Sequence, residues 1–444
     1  MTGPSTRRGP RARPAPRSAE AVDVEVRALA SSGAGVADLP DGRVVFVQRT
    51  APGDRARVGV VKSRPRWAEG TLLSLLEASP QRVEPPCAFY DECGGCQLQH
   101  VPYELQLEWK RRFVSDALER IGGVTGAPVE PVVSSPRAYG YRSRVTFTLR
   151  RLRGGHVVAG YHALGRPAHV IDVDGPCLLA DDGLNATWAA LRAGWGDGAR
   201  LLPAGGRLRL TLRLADAGTE LLVEGGEEGW DAEPLRRDVP ALSAVWHLPR
   251  NGADGVAELH AGAEGEGGGV AFEQVNREAA GLLRAHVMGV VAARCSEPGT
   301  AVDAYCGDGV YGRALAAVGW TVRGIEADPA VVPSETPDGF ALVTGLVEDH
   351  LAGALPADLL VLNPPRAGLD PAVPPQILAD PPQTVVYVSC DPGTLARDLR
   401  ALAPCYAVHA VAGFDLFPQT AHVETVAVLS RRDDATPGPQ GEPS

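Results

Sequence analysis

The 444-residue chain contains no apolar run of transmembrane length. Its first twenty residues are rich in Arg and Pro and hold no apolar stretch of the signal-peptide kind. Those absences leave no bilayer-spanning helix and predict a cytoplasmic protein with no membrane partner. Lysine is nearly missing: Lys62 and Lys110 are the only two, so arginine carries almost all the positive charge. Cysteine is sparse, with eight in all. In a reducing compartment such thiols are metal ligands, nucleophiles or core rather than disulfides. The net charge of −11, evenly spread, would argue against a nucleic-acid partner. It is not evenly spread. Residues 131–171 lack Asp and Glu altogether, yet hold Arg137, Arg142, Arg144, Arg150, Arg151, Arg153 and Arg166. The acids collect elsewhere, as in residues 220–233 and 254–266.

The length suits two or three domains. Residues 1–18 read as a disordered basic tail, and 433–444 as a second disordered tail. Between 19 and 79 the pattern is all-β. Val22, Val24 and Val26 alternate with polar residues, the run from Val44 to Val47 precedes the turn Pro52-Gly53-Asp54, and further short apolar runs follow. Close-spaced strands with Gly/Pro/Asp turns predict a small barrel. This stretch resembles a TRAM domain, an oligonucleotide/oligosaccharide-binding-like barrel carried by RNA-modifying enzymes.

Residues 80–269 read as a central α+β domain. It opens with Cys87, Cys93 and Cys96, spaced by five and two residues. Three thiols this close read as a metal or iron–sulfur site, with Cys177 the candidate fourth ligand. Four thiolates suit zinc equally well on composition. Between these cysteines, Leu105, Leu107, Trp109, Phe113, Leu118 and Ile121 recur at helical spacing and predict a helix ending at Gly122-Gly123. Then Arg137, Tyr139, Tyr141, Arg142 and Arg144 interleave basic and aromatic side chains. That combination can hold phosphates and stack on unpaired bases, so the segment is expected to contact RNA.

From about residue 270 to 432 strands alternate with helices. DAYCGDGVYG, residues 303–312, reads as strand, tight Gly307-x-Gly309 turn and helix; Glu326 ends the next strand, where it can accept bonds from ribose hydroxyls. A third glycine at pyrophosphate-binding spacing is missing, which favours S-adenosylmethionine over a dinucleotide. Asn363-Pro364-Pro365 ends another strand, as in methyltransferases. The β-branched run Thr384 to Val388 then delivers Ser389, Cys390 and Asp391 into a Pro-Gly turn, with a helix starting near Thr394. A cysteine at the carboxyl end of a parallel strand stands where open α/β sheets bind ligands.

These motifs, with FEQVN before the first helix of this part and DLFPQTAHVE after the last, resemble the RNA 5-methyluridine methyltransferase family. The likeness is strongest to its TRAM-containing, iron–sulfur branch that acts on 23S rRNA. It implies a Rossmann-like S-adenosylmethionine-dependent methyltransferase domain, and a monomer. It implies Cys390 as nucleophile and Glu424 as base. It places Gln274, Tyr305, Glu326 and Asn363 on the cofactor and Cys87, Cys93, Cys96 and Cys177 on a 4Fe-4S cluster. The chemistry asks for that pair. Carbon 5 of uracil is a poor nucleophile until a thiolate adds to carbon 6, and a base must later remove the carbon 5 proton. A thiolate at neutral pH calls for a lowered Cys390 pKa. The alternatives are a tRNA 5-methyluridine methyltransferase, an amino methyltransferase acting on adenine or guanine, and a non-catalytic RNA-binding protein.

Overall fold

The computed structural model describes residues 21–250, 257–262, 274–329, 331–332 and 335–432. Both expected tails, and most of the Gly-rich run 251–269, lie outside the described residues. The chain divides into two compact units, residues 1–83 and 84–444.

In the first unit, β1 (Ala21–Leu29), β2 (Gly35–Asp38), β3 (Val44–Val47), β4 (Arg55–Ser63) and β5 (Trp67–Glu77) close into a barrel in the order β1-β2-β3-β5-β4. Alternation drives it: Val24, Val26, Val45, Val47, Ala56 and Val58 point inward and form one apolar core. The buried Asp54 carboxylate fastens the end of the unit, accepting the N–H groups of Ala51 at 2.6 Å and Ser79 at 2.9 Å and pairing with Arg82 at 2.6 Å.

The second unit begins with the cysteine-bearing loops and α1 (Tyr103–Arg120). A six-stranded sheet follows, built from β6 (Arg144–Arg151), β7 (Val157–Gly160), β10 (Arg207–Ala215), β11 (Gly218–Glu224), β12 (Leu242–Leu248) and β13 (Glu258–Gly262), in the order β13-β12-β11-β10-β6-β7. A short hairpin, β8 (His162–Ala163) with β9 (Arg166–Val170), and the helices α2 (Asp182–Gly194) and α3 (Glu233–Asp238) complete this part. Phe147 stacks on Trp188 of α2 with ring centres 3.8 Å apart, joining helix to sheet.

The last part opens with α4 (Arg277–Arg294). It continues through β14 (Thr300–Ala304), α5 (Val310–Ala316), β15 (Thr321–Glu326), β16 (Phe340–Thr344), α6 (Val347–Ala354), β17 (Leu359–Leu362) and α7 (Val373–Ala379). It ends with β18 (Thr384–Ser389), α8 (Pro392–Leu402), β19 (Tyr406–Phe414) and β20 (Glu424–Arg431). The strand order is β16-β15-β14-β17-β18-β20-β19. β16 to β18 are mutually parallel; β20 runs antiparallel to both neighbours. Every residue of β17 and β18 is buried, as expected of strands covered on both faces. No helix forms among the described residues between Glu326 and Phe340, which agrees with the prolines there. α1 packs against α8 on one face of this sheet, while residues 129–133 run parallel to the edge strand β19, with bridges Val129–Val411 and Val133–Phe414, and Val129 and Val132 join the same core. No helix among the described residues is long and apolar enough to cross a membrane.

Candidate active site and cysteine site

The chain reverses direction of winding between β14→β15 and β14→β17, and a cavity of about 1630 Å³ opens at the carboxyl ends of these strands. Gln274, Tyr305, Glu326, Asn363, Cys390 and Glu424 all line it. Glu326, at the end of β15, accepts the N–H of Gly307 at 2.8 Å and of Asp328 at 2.8 Å, so its carboxylate is fixed by backbone on both oxygens. Gly309 has φ 78°, and a Cβ there would meet the Phe340 ring at 2.5 Å, so only glycine fits. Asp303 on β14 holds the next turn by accepting the Gly312 N–H at 2.7 Å; burial pushes its carboxyl up to about 7.

Cys390 follows β18 directly. Asp391 caps α8, accepting the N–H groups of Gly393 and Thr394, each at 2.9 Å. The helix begins at Pro392, two residues before the start expected at Thr394, because proline fits the first helical position and the aspartate caps it. β20 brings the second residue. The antiparallel register pairs Ser389 with Thr425, tightened by the Thr425 hydroxyl donating to the Ser389 carbonyl at 2.9 Å. Cys390 and Glu424 are the residues immediately beyond that last pair, and both line the cavity. Glu424 is 5% exposed, and burial pushes its carboxyl up to about 7 against the opposing pull of Arg366.

The expected lowering of the Cys390 pKa is overturned. Half-burial raises the thiol above its ordinary value and the Glu424 carboxylate raises it further; Arg366 acts the other way without outweighing them. Arg366, directly after Asn363-Pro364-Pro365, stands where amino methyltransferases usually carry an aromatic, but sequence reasoning assigned it no role in the site; the fold brings it to Cys390 and Glu424. His422 is exposed and does not line the cavity.

Cys87, Cys93, Cys96 and Cys177 line a second cavity of about 360 Å³. The Gly95 N–H donates to Cys93 Sγ at 3.3 Å, Gly94 donates to the His162 carbonyl at 3.0 Å, and the Asn185 amide oxygen accepts the Cys177 N–H at 2.9 Å. Burial pushes the Cys96 thiol up to about 12. None of the eight cysteines is in a disulfide. Among the described residues no group of three or more His, Cys, Asp or Glu is placed to hold a metal ion. The cavity does hold four soft sulfur donors, two arginines (Arg142 and Arg144) and no carboxylate or imidazole. That donor set suits an anionic metal–sulfur group.

This placement corrects one part of the expectation for the basic-aromatic segment, the stacking role of Tyr141. Tyr141 is buried and its hydroxyl donates to the Pro418 carbonyl at 3.1 Å; Arg142 and Arg144 face the cysteine cavity. Arg137 pairs with Glu278 at 2.9 Å. Tyr141 therefore offers no stacking face to a base, because its ring fills the core beside Cys96 and Leu179.

Residues 353–432 match the family described as tRNA (Uracil-5-)-methyltransferase, and residues 19–73 match the TRAM domain. A protein of Gloeobacter violaceus, named as an RNA methyltransferase, is 35% identical over 93% of this chain and 97% of its own length. The 23S rRNA (uracil(1939)-C(5))-methyltransferase of Chromohalobacter salexigens is 32% identical over 93% of this chain and 90% of its own. A solved structure, the tRNA (uracil-54, C5)-methyltransferase of Pyrococcus abyssi in complex with S-adenosyl-L-homocysteine, shares the fold with a TM-score of 0.67, at 24% identity, over 92% of this chain and 99% of that one.

A barrel joined to a Rossmann-like sheet with a cavity at its switch point defines a TRAM-bearing, S-adenosylmethionine-dependent RNA methyltransferase. Within that class the chain belongs to the RNA (uracil-5-)-methyltransferase family, and it is a uracil-5 methyltransferase.

Proposed function

We propose that the protein methylates carbon 5 of a uridine in 23S rRNA through a covalent adduct on Cys390, with Glu424 as the base. One observation carries this reading: the paired ends of β18 and β20 bring Cys390 and Glu424 onto the cavity that Gln274, Tyr305, Glu326 and Asn363 also line. Those four residues are positioned to hold S-adenosylmethionine, which supplies the methyl group. The Cys390 sulfur bonds to carbon 6, and carbon 5 becomes nucleophilic and takes the methyl. Glu424 then accepts the carbon 5 proton as the carbon–sulfur bond breaks and the electron pair returns to sulfur. Burial and the Glu424 carboxylate raise the Cys390 thiol above its ordinary value, so addition to carbon 6 requires that the thiol first lose its proton. Ribosomal RNA is favoured over tRNA because the relative named for 23S rRNA aligns over nine-tenths of both chains at the higher identity. Cys87, Cys93, Cys96 and Cys177 are proposed to hold a 4Fe-4S cluster.

The test uses 23S rRNA and tRNA transcripts made with 5-fluorouridine, which traps the adduct after methyl transfer. A covalent protein–RNA band with 23S rRNA, absent in Cys390→Ala, is expected. A band with tRNA alone would reassign the substrate, and methylation by Cys390→Ala would overturn the mechanism.

A further inference from the structure

The loop from Asp415 to Thr420 connects β19 to Glu424, and it is held unusually firmly. Gln419 has φ 68°, a left-handed conformation that is costly for a non-glycine residue and persists only when its surroundings impose it. The surroundings are visible. Gln106, on α1 and 313 residues away in sequence, donates through Nε2 to Gln419 Oε1 at 3.0 Å, while Gln106 Oε1 accepts the Gln419 N–H at 3.1 Å. The same Nε2 also reaches the carbonyls of Leu98 at 3.1 Å and Val101 at 2.8 Å. The Gln419 carbonyl accepts the N–H groups of both Gln97 and Leu98 at 3.0 Å. Gln106 is fully buried and Gln419 is 3% exposed. A buried amide with its donors and acceptors filled is a rigid anchor, and loss of one partner leaves the other unsatisfied.

Only a few residues separate this anchor from the base. The Thr420 hydroxyl donates to the Phe417 carbonyl at 2.7 Å and accepts the His422 N–H at 3.3 Å. Val423 is buried, and the next residue is Glu424. Phe417 and Leu416, on the near side of the anchor, line the catalytic cavity together with Glu424. No element intervenes between the Gln106–Gln419 pair and the base. The geometry points to Gln106 and Gln419 as positioning residues for Glu424: their reciprocal amide bridge sets the carboxylate where it takes the carbon 5 proton. Neither touches substrate. Glu424 acting as the base is the reading on which this role rests. A general base misplaced by about 1 Å loses on the order of 10²-fold in rate, so a small relaxation of the loop is enough to be measured.

The two halves of the reaction separate the role from a general loss of folding. An RNA with 5-fluorouridine has no carbon 5 proton to give, so adduct formation with it reports Cys390 addition and methyl transfer alone. With a natural transcript the enzyme must also remove the proton, and a slowed base leaves methylated RNA attached to Cys390. Gln106→Met keeps the volume and deletes the amide. Its adduct formation with the 5-fluorouridine transcript should match wild type, while proton removal from the natural transcript slows about 10²-fold and the attached, methylated RNA accumulates on a denaturing gel. Gln419→Gly, free to adopt the left-handed φ but without the side-chain amide, gives the same readout should Gln106→Met fail to fold. Equal slowing of both reactions, or of neither, in whichever variant folds would overturn the role. Glu424→Gln is run alongside: if it too leaves no attached RNA, the base assignment has failed; if it does and the glutamine variants do not, only the positioning role has failed.

Discussion

Cys390 and Glu424 share a cavity but place opposite demands on it. Burial and the neighbouring carboxylate push the Cys390 thiol up, while burial brings Glu424 to about 7, close to neutral pH. A base with a pKa near the working pH is effective for proton transfer. Glu424→Gln should therefore permit addition and methyl transfer and stall afterwards, leaving methylated RNA attached to Cys390; a general base contributes about 10²–10⁴-fold, enough for the species to persist. In the wild type, release should slow as the pH falls through about 7, since only the carboxylate accepts the proton. The same carboxylate has a folding signature. Its folded pKa lies above the ordinary 4.5, so the folded chain holds the proton more tightly. That contribution to stability is complete at acid pH and is lost as the pH rises through about 7. Glu424→Gln should then be more stable than wild type at pH 8, by on the order of 3 kcal/mol, with the gap closing by pH 5. Urea unfolding at the two pH values measures it, and equal gaps would show the carboxylate to be solvated.

At the scale of elements, local pattern was a good guide and facing partners were not. The β-branched run of β18, the glycine turn after β14 and the barrel alternation all read correctly because each depends on a few adjacent residues. The helical spacing of α1 was also legible, but its buried face includes Gln106 and Lys110 where an apolar stripe was expected, and Ile121 is 46% exposed. Those polar side chains are buried against partners more than three hundred residues later, which no window on the sequence can show. The same limit misled the reading of Tyr141 as a stacking face. Residues 137–143 form a loop leading into β6, and a loop's sequence does not show what it packs against: Tyr141 is buried beside Cys96 and Leu179, and Arg142 lines the cysteine cavity. That cavity yields its own prediction. Cys93 stands at a bridge to Ala163 of the β8–β9 hairpin, with Cys96 and Cys177 across the space. Protein purified without oxygen should be brown and contain iron and sulfide, and Cys93→Ala should lose both colour and iron. A colourless protein with one zinc per chain would show that the four thiols hold zinc.

At the scale of the whole second unit, the question is what joins the cysteine-bearing segment to the catalytic sheet. The switch-point cavity and the domain class were legible from motif order alone; the joint was not, because it depends on one lysine in a chain with only two. Lys110 of α1 and Asp415 of the loop before Glu424 are both fully buried, with Nζ 2.6 Å from Oδ1. Lys110 also donates to the Phe417 carbonyl at 3.1 Å, and Asp415 Oδ1 accepts the Phe417 N–H at 3.1 Å. Burial lowers the lysine pKa while the aspartate opposes it. An ion pair taken this far from water gains little net stability, but breaking it leaves a bare charge in the core, which costs about 3–5 kcal/mol. Lys110→Met should lower the unfolding free energy in urea by that amount, because the buried Asp415 carboxylate stays behind with no cation beside it. Lys110→Met combined with Asp415→Leu removes both charges and should recover most of the stability. Its catalysis need not recover with it, since the bonds to Phe417 that shape the loop go as well. A double variant as unstable as the single one would mean that the loss came from packing around the methionine and not from the stranded carboxylate.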